Sequence, residues 1–279
     1  MKLVSFSAGD DVIRPGALRD DSNVVDLTAA GCKNMLEAIT AGICEVPGEL
    51  GDHAVHRLDE VRIHAPLANP PRLFAIGLNY REHATESGLT LPDYPVVFFK
   101  LQTSIVGPGD AIVLPTNSRE PDWEAELAFV ISKGGFRIDA ADWREHVYGY
   151  TIINDVSARD IQRSTTQWSM SKSFPTFCPM GPAIVTADEI ADPHNLAIGL
   201  SIDGEVLQNS STSELIFKIP QLIEYLSSIT PLLPGDVVST GTPPGVGLGR
   251  KPKRWLKPGE TVTVTVEGLG SLTNPVVAE

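Results

Sequence analysis

A chain of 279 residues with 35 acidic and 22 basic side chains carries a formal charge of −13, which argues against nucleic acid or an anionic membrane as the main partner, since both require a basic face. Its hydrophobic content of 42% suits an ordinary globular protein with one large core, or a large domain plus a small one. The three cysteines, Cys32, Cys44 and Cys178, lack zinc or CxxC spacing and are odd in number, so no disulfide framework is expected and each reads as a small hydrophobe.

The first six residues are too short and interrupted for a signal peptide, and no apolar run reaches the length of a membrane span, so a reducing cytoplasm is the expected location. Residues 1–68 read as a small α/β N-terminal domain. Lys2 to Ser7 is strand-like, Gly16 to Asp21 is a strand entering a turn, and Val24 to Leu27 pairs back. Asn34 to Ala41 has helical spacing, with Met35, Leu36 and Ile39 on one side. His53, His56 and His64 are scattered and carry no constellation. Pro66 to Pro71 is the linker candidate, because paired prolines stiffen the chain and forbid helix. Residues 69–279 form the second unit.

Leu73 to Gly77 is a short apolar strand opening into Tyr80 to Glu86, where a helical turn would place His83 and Glu86 on one face at i and i+3. A carboxylate on one imidazole nitrogen orients the ring and leaves the other nitrogen as a base, although this spacing also suits a plain solvated helix face. A stop at Gly88 keeps the segment short, as a lid requires. Val96 to Lys100 and Ala111 to Pro115 are further strands, separated by a turn at Gly107-Pro108-Gly109-Asp110.

Pro121 to Ile131 is the chemically loaded strand. Side chains alternate along a strand, so Ala125, Leu127, Phe129 and Ile131 face one way, while Glu124 and Glu126 share the other face with Ala128 and Val130. Two carboxylates on one partly buried face repel each other and lose hydration. Either one stays protonated, or basic side chains pair with them, or a divalent cation binds; an edge strand with solvated glutamates is the plain alternative. The strand Tyr148 to Asp155 ends in a third carboxylate, followed by helical residues to Gln162. Three carboxylates suit Mg²⁺ or Mn²⁺, whereas zinc would favour histidine or cysteine.

Lys172 sits among small and aromatic residues and is either a functional ammonium or a snorkelling surface lysine. Leu196 to Ile202 and Glu205 to Leu207 flank an Asp203-Gly204 hairpin turn, Ile219 to Ile229 is helical, and Thr261 to Val266 reads as the final strand. Pro234 to Gly249 is a strand running into a Gly/Pro-rich loop. It is neither a Walker loop nor a Rossmann fingerprint, but its amides could cradle a carboxylate. Arg250-Lys251-Pro252-Lys253-Arg254 is either a local basic patch or a solvated loop.

In order along the chain, Gly77-Leu78-Asn79-Tyr80-Arg81-Glu82-His83 with Glu86, Asp122-Trp123-Glu124-Ala125-Glu126-Leu127, Asn154-Asp155-Val156-Ser157-Ala158-Arg159-Asp160, Ser171-Lys172-Ser173-Phe174 and Thr240-Gly241-Thr242-Pro243-Pro244-Gly245-Val246-Gly247 resemble the fumarylacetoacetate hydrolase family from Arg72 to the C-terminus. Thr176 to Pro182 and Ala191 to Leu196 resemble its branch with a small N-terminal domain. The resemblance implies an α+β, β-rich fold, a mixed β-sandwich roll behind the N-terminal domain, and usually a homodimer. It also implies one Mg²⁺ or Mn²⁺ on Glu124, Glu126 and Asp155, with His83, Glu86 and Lys172 catalytic. Tyr80, Lys100, Arg159, Gln162, Gly241 and Thr242 are then expected at the substrate. Leu101 and Asn209-Ser210-Ser211-Thr212 depart from the commoner pattern, and the latter is expected as a loop at the distal end of the substrate. The implied partner is a small 2-oxo or 2,4-dioxo acid. The implied reaction is metal-dependent cleavage of a C3–C4 bond to pyruvate and a carboxylic acid. Oxaloacetate decarboxylation or tautomerisation, or isomerisation of a hydroxydienedioate, would use the same site, and a non-catalytic binding protein is the remaining alternative.

Overall fold

Nineteen strands and five α-helices are present among residues 1–46, 54–86 and 90–279, which the computed structural model describes; His53 and Gly88 lie outside these residues. The N-terminal part contributes β1 (Lys2–Ser7), β2 (Arg14–Leu18), β3 (Asn23–Asp26), α1 (Met35–Thr40), β4 (Val55–Arg57) and β5 (Arg62–His64). There follow β6 (Leu73–Gly77), α2 (Arg81–Glu86), β7 (Val96–Phe99), β8 (Ile105–Val106), β9 (Ile112–Leu114), β10 (Pro121–Asp122) and β11 (Ala125–Ile131). Next come α3 (Trp143–His146), β12 (Val147–Asn154), β13 (Ser157–Ala158), α4 (Arg159–Gln162) and β14 (Cys178–Thr186). The C-terminal part holds β15 (Ala197–Ile202), β16 (Glu205–Ser211), α5 (Ile219–Ile229), β17 (Val237–Ser239), β18 (Thr261–Val266) and β19 (Gly270–Ala278).

The main sheet runs β4-β3-β2-β1-β14-β12-β11-β17-β6-β7, with β5 on β1 and β8 on β14. Its pairings are mostly antiparallel, but β17–β6 and β14–β8 are parallel, so the sheet is mixed. A second sheet, β16-β15-β18-β19-β9, packs its inner face on the first. The alternation along β11 divides the core as the pattern requires. Ala125, Leu127, Phe129 and Ile131 join the large inter-sheet core with Ile198, Val264 and Leu272. Ala128 and Val130 face Leu3, Leu27, Met35 and Met180. The N-terminal strands therefore extend the same sheet, with Lys2 opposite Val185 and Leu3 opposite Ile184, and share a core with residues beyond 68.

Helix α5 forms over the expected residues because Ile219, Leu222, Ile223 and Leu226 recur on one buried face. Its first amide, at Ile219, donates to Nε2 of His194 across 3.2 Å, so the imidazole must stay neutral at that nitrogen to accept. Burial holds the His194 pKa below its ordinary 6.5, against the pull of Asp192. A histidine with a lowered folded pKa takes up protons preferentially when unfolded, so its share of stability falls as pH drops below 6.5. Urea midpoints should decline from pH 7 towards pH 5, and His194→Asn should flatten that decline.

Several strands escape the sequence pattern, among them the short β4, β5 and β8 and two long ones. Thr261 to Val266 is not the last strand, because β19 follows and pairs with it throughout. The Cys178 to Thr186 segment, although interrupted by Pro179 and Pro182, is a nine-residue strand between β1 and β12. The acidic strand is also divided. Pro121 and Asp122 pair with Ala158 and Ser157, and the ladder with β12 resumes only at Ala125.

Candidate active site

Glu124 stands one residue before β11 and Asp155 one residue after its partner β12, whose register sets Ala125 opposite Asn154. Two short bonds hold this end of the hairpin. The Asp155 amide donates to the Glu124 carbonyl at 2.9 Å, and the Glu124 amide donates to Oδ1 of Asn154 at 3.0 Å. Glu126 follows on the same face. All three carboxylates are buried, and one oxygen from each lies within 4.8 Å of the others.

Positive charge surrounds two of the three acids. Lys172 Nζ lies 2.7 Å from Glu124 and 2.6 Å from Asp155. It is buried, so the surface reading of this lysine does not hold. Lys100 Nζ donates to Asp155 at 2.6 Å and to the Lys172 carbonyl, tying the lysine-bearing segment to the acid. Arg159 reaches Glu124 at 2.6 Å through Nη2 and donates to Asp122 at 2.8 Å through Nε. Burial pushes the Glu124 carboxyl up, but Lys172 and Arg159 outweigh it and hold it well below the usual range. Burial also disfavours the Lys172 ammonium, and here Asp155 and Glu124 prevail and raise its pKa.

Glu126 has no cation of its own among the described residues. It accepts from the Ser239 hydroxyl at 2.5 Å and from the Gly241 amide at 2.9 Å. Burial, then Asp155 and Glu124, push its pKa well above the ordinary value. A buried, undercompensated oxygen cluster is what a hard divalent cation relieves, so the donor set fits Mg²⁺ or Mn²⁺. With no nitrogen or sulfur donor in the cluster, zinc fits less well.

The lid is built from β6 outwards. Asn79 donates to the carbonyls of Phe217 and Thr240 at 2.9 and 2.8 Å and accepts from the Phe217 amide at 2.7 Å, which locks the turn that launches α2. On α2, Nδ1 of His83 lies 3.2 Å from Oε1 of Glu86. Glu86 is itself held by the Gly245 amide, 3.1 Å from each of its oxygens. It packs so closely on Gly249 that a Cβ there would sit 2.6 Å from its carboxyl carbon. The dyad read from spacing is therefore a three-part device in which the Gly/Pro-rich loop positions the glutamate that orients the imidazole.

Acids and lid close on a cavity of about 340 Å³. Glu124, Glu126, Lys172, His83 and Thr242 line its charged end, and Ile76, Leu78, Phe98, Trp168 and Leu248 its apolar wall. Arg159, Gln162, Arg163 and Thr165 complete it. Of the residues expected at the substrate, Arg159, Gln162 and Thr242 therefore line the cavity, whereas Tyr80, Lys100 and Gly241 do not. Tyr80 is fully buried with an unpartnered hydroxyl, Lys100 supports Asp155, and the Gly241 amide is committed to Glu126. Asn209-Ser210-Ser211 is not a loop but the end of β16, paired with β15, and it does not line the cavity. Its buried neighbour Gln208 instead braces the site, accepting from the Ala125 amide and donating to Thr242 Oγ1. In the basic run, Arg254 pairs with Glu205 and Glu260. Phe98, Arg163, Thr165, Trp168 and Leu248 are lining residues that sequence reasoning missed. The available signal was the four-residue step from Arg159 to Arg163; the packing of Trp168 on Gly77, where a Cβ would meet the indole at 2.2 Å, is made by the fold alone.

A buried carboxylate cluster beneath an oriented imidazole, in a cavity sized for a small acid, defines an enzyme. The chain belongs to the fumarylacetoacetate hydrolase family, whose C-terminal domain model matches residues 72–277. It is 43% identical over 289 residues to the oxaloacetate tautomerase fahd2, mitochondrial, of Xenopus laevis, covering 99% of this chain and 90% of that protein. The structure of 5-carboxymethyl-2-hydroxymuconate delta-isomerase from Mycobacterium smegmatis superposes with a TM-score of 0.81 at 37% identity, covering both chains fully. Maleylpyruvate hydrolase from Sphingobium sp. SYK-6, solved with manganese(II) and pyruvate, gives a TM-score of 0.81 at 29% identity, covering 100% of this chain and 99% of that one. The resemblance read from the five motifs holds, as does the mixed, strand-rich fold it implies.

Proposed function

We propose that the chain interconverts the keto and enol forms of a 2-oxo dicarboxylic acid of the oxaloacetate type. The observation that carries this reading is that His83, held by Glu86, lines the same cavity as Glu124 and Glu126 of the carboxylate cluster. It is supported by the full-length similarity to a tautomerase. Glu124, Glu126 and Asp155 would hold a divalent metal, which when bound supplies Lewis-acid polarisation of the 2-oxo group. With Nδ1 given to Glu86, the Nε2 of His83 removes a proton from C3. The C–H electron pair moves into a C2–C3 double bond, and charge develops on the 2-oxygen within reach of the Lys172 ammonium. The proton held on Nε2 passes to the oxygen, giving the enol, and the reverse sequence returns it to C3, giving the keto acid. Phe98, Trp168 and Leu248 give the cavity an apolar side, and the lower local dielectric there strengthens these charge interactions.

Hydrolysis of the C3–C4 bond of a 2,4-dioxo acid is the second reading. It is favoured by the same Nε2, which can deprotonate a water as readily as a carbon acid. The test is metal-stripped protein reconstituted with Mg²⁺ or Mn²⁺ and offered oxaloacetate or acylpyruvates, with enol absorbance, CO₂ and pyruvate followed separately. Metal-dependent loss of enol absorbance without CO₂ or pyruvate is the expected result. Pyruvate release from acylpyruvates alone would replace tautomerisation with hydrolysis, and full activity without metal would overturn both.

A further inference from the structure

We propose that Arg163 is the specificity-determining residue that binds the second carboxylate of the substrate, so that the enzyme selects diacids over 2-oxo acids with neutral tails. This rests on the 2-oxo acid reading above and names how the far end is recognised. Three cationic side chains line the cavity, Arg159, Lys172 and Arg163. The first two are 3% exposed and locked onto Asp122, Glu124 and Asp155. Arg163 differs. Its side chain is 46% exposed, and among the described residues its ion-pair partner is Glu120, itself 26% exposed, at 2.5 Å.

The helix explains the placement. Arg163 follows the last residue of α4, and its amide donates to the Arg159 carbonyl at 3.1 Å. Four residues along a helix lie on one face and advance about 6 Å, the scale of a short diacid. Arg159 thus grips the acid cluster, and Arg163 offers a second guanidinium one turn further along the same face. Gln162 assists, because its Oε1 accepts from Arg159 at 3.0 Å, which turns its amide donors away from that contact. A half-exposed pair such as Arg163–Glu120 contributes little and opens at little cost. Glu120 therefore acts as a stand-in carboxylate that a substrate carboxylate displaces, and a guanidinium binds such a group in a two-point fork that lysine would not reproduce.

The test compares calorimetric binding of two unreactive acids to the Mg²⁺-loaded protein. Oxalate is too short to span the cavity, whereas 3,3-difluoro-oxaloacetate cannot enolise and carries the distal carboxylate. Arg163→Gln should weaken the difluoro acid about 10- to 100-fold, as loss of a charged hydrogen-bond partner does, and leave oxalate unchanged. Glu120→Gln should tighten the difluoro acid by removing its competitor. In turnover, Arg163→Gln should raise KM for oxaloacetate with kcat nearly kept. Equal weakening of both acids, or no change in either, would overturn the proposal. Wild-type protein that shows this binding pattern yet fails to tautomerise oxaloacetate would instead sink the functional reading and leave the role of Arg163 standing.

Discussion

Glu126→Gln will stabilise the metal-free protein and disable the enzyme. Glu126 is a buried carboxylate repelled by Asp155 and Glu124, and the Lys172 charge, the Ser239 hydroxyl and the Gly241 amide compensate it incompletely. A carboxyl whose folded pKa is raised holds its proton better folded than unfolded, so it subtracts stability as pH rises above the ordinary 4.5. Glutamine removes that penalty while keeping the shape and one acceptor. The melting temperature of metal-free Glu126→Gln should exceed that of wild type by about 2 °C or more at pH 7, and the gain should vanish towards pH 4. The same change deletes a proposed metal ligand, so Mn²⁺ should raise the melting temperature of wild type but not that of the variant. Activity should fall on the order of 10²- to 10³-fold, the loss typical of one preorganised electrostatic group. A variant that is less stable than wild type without metal would show that the repulsion is already relieved by another route.

His83→Ala should lower turnover about 10²- to 10⁴-fold, the range for loss of a positioned general base, with Mn²⁺ binding intact. The imidazole belongs to the lid, and the cluster it faces is held by other elements. Glu86→Gln should cost less, because a glutamine can still accept from Nδ1 but no longer stabilises the imidazolium. Exchange of the C3 proton for deuterium distinguishes the two reactions open to this base. If His83 deprotonates carbon, exchange and tautomerisation disappear together in His83→Ala. Exchange that survives while an acylpyruvate is no longer hydrolysed would assign the imidazole to water instead.

Much of this site is written in local pattern. The period-two alternation around Glu124 and Glu126 requires both carboxylates on one face wherever the strand lies, and the i, i+3 spacing of His83 and Glu86 requires only one helical turn. The residues that could not be placed depend on distant partners. Nothing near Lys172 in the chain says that Glu124 and Asp155 lie within 2.7 Å of it, because the β11–β12 register joins the two acids while bonds from Ala158 and Lys100 hold the Ser171-Lys172 segment against them. Strand β19 was hidden because Asn274 occupies a core position. Its side-chain amide is satisfied by the carbonyls of Gly107 and Asp110 across the fold, which no local pattern reveals. Asn209 to Ser211 is a loop by the family resemblance alone, yet pairing with β15 makes these residues strand.

The seat of β11 within the main sheet bears on how such an enzyme changes its trade. With β12 on one side and β17 on the other, β11 cannot shift without moving a ladder of partners, and it carries Glu126 and the adjoining Glu124, itself tied to Asn154, with it. The pieces that line the rest of the cavity, α2 and the stretch from Arg163 to Trp168, lie outside the strands and bear little of the core. Mutation can therefore rewrite the rim one residue at a time while the reactive centre is inherited whole. A single ancestral enolising device could in this way give rise to tautomerases, isomerases and hydrolases without its central strand being redesigned.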